Sequence, residues 1–141
     1  METPMPNARP LSTLRLAVIA AAVSIAVSLP VLPLAAHELA KGPNGGPVVD
    51  SGGHHIEFVA GEREIVLFLT EADDKPMASA GVKTARAIVQ DGGKTATVPL
   101  VPAEPNRLVG TLPNRLGSGA RVVVTATLPD GHSVQGRFVM P

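Results

Sequence analysis

Three of the four histidines fall in one stretch, His37-Glu38-Leu39-Ala40-Lys41-Gly42-Pro43-Asn44-Gly45-Gly46-Pro47-Val48-Val49-Asp50-Ser51-Gly52-Gly53-His54-His55-Ile56-Glu57. The chain has no cysteine, so a metal held here would rest on imidazole nitrogen and carboxylate oxygen, the donors of Cu(II), Zn and Ni sites. Gly52-Gly53 supplies the positive φ angles of a two-residue hairpin turn. That turn pairs Asp50 with His55, Val49 with Ile56 and Val48 with Glu57. Because strand side chains alternate, Val49, Ile56 and Phe58 share one face, and Asp50, His55 and Glu57 share the other. The first is a core face and the second a candidate site. His54 has the right chemistry for a ligand but falls on the core-facing side at the turn.

His37 enters the same set through the chain's leader. Met1 to Arg15 carry Arg9 and Arg15 with one acid, Glu2, ahead of an uncharged run from Leu16 to Leu29. The apolar stretch continues to Ala36, interrupted by Pro30 and Pro33. This is the order of a secretory signal peptide, with cleavage after Ala36. With no twin-arginine pair and no cysteine for a lipid anchor, the expectation is a soluble exported protein, without a membrane span after cleavage. Cleavage there makes His37 the first residue, and its free amine and imidazole close a chelate ring on one ion. An amine beside an imidazole suits tetragonal Cu(II), with Zn(II) as second choice. His55 or His54 then adds a nitrogen, while Glu57 or Asp50 adds an oxygen or holds a ligand imidazole in its tautomer.

The elements that must position these groups are strands. Short apolar runs recur at nearly even spacing between turn residues, and no helical period is sustained after residue 36. Strands are expected at Pro47 to Asp50, His54 to Ala60, Glu64 to Glu71, Val82 to Gln90, Lys94 to Val101, Arg107 to Thr111, Ala120 to Leu128 and Ser133 to Val139. Glu64 to Thr70 is apolar on both faces through its middle, as in a central strand, whereas Arg121 to Leu128 alternates. The fold class expected is all-β: an immunoglobulin-like antiparallel β-sandwich of about 7–8 strands after an N-terminal signal helix. The organisation is a signal peptide at 1–36, a flexible Gly- and Pro-rich segment at 37–46 and a β-sandwich domain at 47–141.

The remaining chemistry-bearing residues point elsewhere. Asp73-Asp74-Lys75-Pro76 has paired carboxylates but lacks the spaced oxygen ligands of a calcium loop, and reads as a solvated turn. His132 falls in a hairpin turn. Met77 and Met140 stand apart and form no copper(I)-type cluster. No serine or cysteine nucleophile comes with a base at a recognisable spacing, so the chain does not read as an enzyme. Twelve Lys and Arg against twelve Asp and Glu leave no basic excess for nucleic acid. With no Trp or Tyr in the chain there is no flat aromatic platform for a polysaccharide.

The segment from Gly42 to Val59 resembles small exported proteins of proteobacteria and is similar to the amino-terminal module of periplasmic adaptor subunits from heavy-metal efflux systems. In those proteins a histidine often directly precedes the Gly-Pro or Gly-Gly run, and a His-x-Glu lies on the second strand, matching His55 and Glu57. Here Glu38 to Lys41 separate His37 from Gly42. The resemblance implies a periplasmic β-sandwich linked to metal handling. A more distant likeness is to periplasmic copper carriers that begin with histidine. Two functions follow as expectations. One is a copper-first metal-binding protein that serves an efflux adaptor or a metallochaperone client; the other is a metal-free interaction module of an export or efflux system.

Overall fold

A computed structural model describes residues 40–141. The expected signal peptide, including its helix, and His37 lie outside the described residues. Nine strands and no helix form among the described residues: β1 (Val48–Ser51), β2 (His54–Ala60), β3 (Glu64–Glu71), β4 (Thr84–Asp91), β5 (Lys94–Pro99), β6 (Val101–Ala103), β7 (Arg107–Thr111), β8 (Arg121–Thr127) and β9 (Ser133–Val139). They build two antiparallel sheets, one in the order β1-β2-β3-β7-β6 and the other β5-β4-β8-β9. Setting β1 aside, these orders correspond to A-B-E-D and C′-C-F-G of an immunoglobulin-like sandwich. β1 is an extra edge strand, and the candidate residues sit on it and its neighbour.

Glycine pairs set the hairpins. Gly52 and Gly53 have φ of 63° and 82°, and Gly92 and Gly93 have 54° and 77°, the positive values a two-residue turn needs at both central positions. The resulting register of the first hairpin joins Val48 to Glu57, Val49 to Ile56 and Asp50 to His55, as the sequence predicts. Ser51 ties the hairpin to the second sheet by accepting a hydrogen bond from the Gln135 N–H at 2.9 Å.

One expected strand divides. The apolar pattern predicts one unbroken strand from Lys94 to Val101, but the chain leaves one sheet after Pro99 and joins the other at Val101. Pro99 and Pro102 have no N–H to extend a ladder. Between them Leu100 is buried, and its N–H donates to the Ala85 carbonyl at 3.0 Å. Gly110 makes room for this crossing, since a Cβ there would lie 2.7 Å from Leu100 Cδ2 and 2.8 Å from Val98 Cγ1.

The core is almost wholly aliphatic. Ile56, Ile65, Leu67, Leu69 and Leu108 from the first sheet face Ala87, Val89, Val98, Val122, Val124, Ala126 and Val134 from the second. Phe58 and Phe138 stack across the interface with centroids 4.7 Å apart. Gly136 leaves the space, because a Cβ on it would lie 2.8 Å from the Phe138 ring and 3.0 Å from Val49. Leu67 is 1 % exposed and lies on central β3. Truncating it to alanine removes buried apolar surface and leaves a cavity with neighbours on both sheets, so Leu67→Ala is expected to cost about 2–5 kcal/mol. Urea unfolding, read as a lower midpoint at unchanged slope, checks this.

Candidate metal site on the outer sheet face

On the outer face of the first sheet the register lines up two rows. One runs Val48, Glu57, Phe68, Arg107, and the next runs Asp50, His55, Thr70. Asp50, His55 and Glu57 therefore emerge on one face, while Val49, Ile56 and Phe58 pack inward. Above the rows lies an open groove of about 720 Å³, walled by Ala40 to Asn44 on one side and by Asp74 and Pro76 on another.

His55 stands between two carboxylates. Its Nδ1 lies 3.1 Å from Asp74 Oδ1, and its Nε2 lies 3.5 Å from Asp50 Oδ2. The ring is 28 % exposed, so one edge reaches the groove and solvent. Asp74 comes from the turn after β3, where the Glu71 N–H donates to the Lys75 carbonyl and the Asp74 N–H to the Glu71 carbonyl. Asp74 adopts φ 62°, a left-handed conformation that aspartate tolerates better than most side chains. A Thr70–Pro76 bridge closes the turn against the sheet. The sequence reading of a solvated turn holds for both carboxylates, Asp74 being 85 % exposed; Asp73 pairs with Lys75 at 2.6 Å and has its carboxyl held below the usual range by that side chain. That reading did not include the approach of Asp74 to His55. The turn chemistry was visible in sequence, but its contact with His55 depends on how the β3 end packs beside β2.

Glu57 occupies the expected face, yet its carboxylate is buried and committed to the backbone. Oε1 accepts from the Asn44 N–H at 2.8 Å and the Gly46 N–H at 3.0 Å, and Oε2 accepts from Asn44 Nδ2 at 2.9 Å. Gly42 packs directly on it, since a Cβ there would overlap the carboxyl group. The described part of the segment expected to be flexible is thus a closed turn. The Gly42 N–H donates to the Gly46 carbonyl, Gly45 N–H to the Gly42 carbonyl, and Val48 N–H to the Ala40 carbonyl. Glu57 is the strut beneath this turn, where the sequence offered it as a ligand. Its partners were unreadable because a mid-strand glutamate looks the same whether it faces water or a folded-back loop.

His54 lies on the opposite face from His55. Its buried Nδ1 is 3.1 Å from Glu71 Oε2 but off the line of a hydrogen bond, so it has proximity to a charge without a bonded partner. The alternation that separates it from His55 keeps both imidazoles from one ion. His132 lies in the β8–β9 turn, 2.9 Å from Asp130 and 80 % exposed. Among the described residues no three His, Asp or Glu side chains converge on a point that would hold a metal. Asp50 stands beside Nε2 of His55, with Asp74 on the far nitrogen of the ring.

No family model, curated protein or solved structure matches this chain. The local geometry therefore carries the functional reading.

The buried strut and the exposed carboxylates separate by stability. Glu57→Ala leaves the buried Gly46 N–H without an acceptor and is expected to destabilise by about 1–3 kcal/mol. Asp50→Asn and Asp74→Asn act on exposed charges and are expected to shift stability by about 1 kcal/mol or less. Denaturant midpoints compare them. A pH prediction follows from Asp130, whose carboxyl sits below its ordinary range because the His132 N–H donates to it and the His132 ring pairs with it. With the folded value depressed, its contribution is full above the unfolded carboxylate pKa and is lost as pH falls through the lower folded one. An NMR titration is expected to place its midpoint below that of free aspartate. His132→Ala is expected to return it only part of the way, since the backbone N–H is the larger cause.

Proposed function

We propose that this protein binds a divalent transition metal, copper first and zinc second, in the periplasm, and buffers it or hands it to an efflux or assembly partner. The observation that carries this reading is the setting of the His55 ring. Asp74 takes Nδ1, which leaves Nε2 as the free donor, the arrangement in which a carboxylate orients a ligand imidazole. Asp50 Oδ2 stands 3.5 Å from Nε2. Two ligands each about 2.0–2.2 Å from one ion sit roughly 3 Å apart, so a small closure brings both onto a metal.

The remaining donors in this reading are the amine and imidazole of His37. Ala40 lines the groove, and residues 37–39 precede it. Glu57 and His54 are left out of the donor set, the first because the turn takes both its oxygens and the second because it faces the other way.

The competing reading is a metal-free interaction module. It draws on the open edge at β5, where Lys94 to Thr97 are all exposed and the outer side of the strand has no neighbour.

Titration of the exported protein with Cu(II) and Zn(II), followed by calorimetry and copper spectra, separates the two. His55→Ala and Asp50→Asn are each expected to weaken Cu(II) binding by at least the 10- to 100-fold expected for Asp74→Asn, roughly the effect of losing an orienting partner. Blocking the terminal amine is expected to change the copper spectrum. Weak binding that none of these variants alters overturns the metal reading and favours the interaction module.

A further inference from the structure

The turn that walls the groove contains an Asn-Gly step, and its surroundings suggest a chemistry independent of any metal. We propose that Asn44 is a deamidation site, and that its conversion to an acid detaches the Ala40–Gly46 turn from the sheet. Four asparagines occur in the chain, and Asn44 alone is followed by glycine; Asn7 precedes alanine, and Asn106 and Asn114 precede arginine. Glycine has no side chain to hinder its own nitrogen from approaching the preceding carboxamide carbon. Asn44 and Gly45 are exposed, and a Cβ at Gly45 would meet nothing within 4 Å, so water has access to the step.

The reaction balances with water as the only co-reactant. The Gly45 backbone nitrogen gives up its proton and attacks Asn44 Cγ. The new N–Cγ bond forms, the Cγ–Nδ2 bond breaks, and Nδ2 takes a proton and leaves as ammonia. One water then opens the cyclic imide at either carbonyl, giving aspartate or isoaspartate. No electron donor or acceptor is involved.

The fold both guards this bond and makes its loss consequential. The Gly45 N–H donates to the Gly42 carbonyl at 3.0 Å, which ties down the attacking nitrogen. The Asn44 carboxamide is held through Nδ2 on Glu57 Oε2 at 2.9 Å. Deamidation replaces that donor by an acceptor carrying a negative charge, facing a glutamate that is 4 % exposed. Two carboxylates in this position repel, and the hydrogen bond cannot re-form while both are ionised. Isoaspartate also lengthens the backbone by one carbon inside a turn closed by short bonds from Gly42 to Gly46 and from Gly45 to Gly42. Because Ala40 to Asn44 wall the groove, release of the turn opens the face that carries Asp50 and His55.

The test incubates the exported protein at neutral to mildly alkaline pH and follows it by peptide mass mapping and isoaspartate detection. Asn44 is expected to convert ahead of Asn106 and Asn114, and Glu57→Ala to accelerate it severalfold by loosening the turn. Asn44→Asp changes an exposed residue and leaves the core intact. It is expected to raise hydrogen exchange at the Gly46 amide while the β3 and β8 amides stay protected. The proposal is overturned if Asn44 converts no faster than the other asparagines, if Glu57→Ala leaves its rate unchanged, or if the Gly46 amide in Asn44→Asp remains as protected as in the wild type.

Discussion

The register of the first hairpin is the constraint from which the site follows. Two consecutive glycines at positive φ close the chain between Ser51 and His54, and every pairing on β1 and β2 is counted from that turn. A slip of one residue would send Asp50, His55 and Glu57 into the aliphatic core and Val49, Ile56 and Phe58 into water. With several apolar side chains on the inward face, each contributing roughly 1.5–3 kcal/mol on full burial, the alternative register is far out of reach. Core burial thus enforces the alignment of polar groups on the outside.

A buried carboxylate is the costliest group on that outer face. Burying an unpaired charge costs several kcal/mol, so Glu57 is tolerable only because three N–H donors converge on it. This requirement and the backbone geometry beside it account for four of the five residues of Gly42-Pro43-Asn44-Gly45-Gly46. Gly42 is small because the carboxyl group lies against it, and Gly46 because a side chain there would strike the Phe58 carbonyl. Asn44 supplies both a backbone and a side-chain donor, and Gly45 turns the chain at φ 84°. What reads in sequence as a loose linker is a closed turn seated on one glutamate.

The two carboxylates around His55 have a different logic. Exposed ion pairs contribute about 0–1 kcal/mol, so placing the exposed Asp50 and Asp74 on the two nitrogens of a partly buried ring does little for stability. The arrangement is better suited to fixing a tautomer and presenting one nitrogen beside one oxygen, which supports the metal reading. It stands apart from the Glu57 strut in energetics and in the variants that probe it.

Sequence alone determined most of the strand positions, the glycine turn, the hairpin register and the face each of Asp50, His54, His55 and Glu57 occupies. These are local properties: alternation has a period of two, and a doubled glycine fixes where counting begins. The sandwich followed from the number and spacing of apolar runs. Only the tertiary structure decided that the Lys94 to Val101 run changes sheets at Leu100, that Asp74 reaches His55 from a turn many residues away, and that Asn44 and Gly46 claim the carboxylate of Glu57. Each is a contact between segments that are distant in the chain or folded back on themselves. A hydrogen-bond partner is chosen by geometry in three dimensions, and residue order records the donor and the acceptor without recording that they meet.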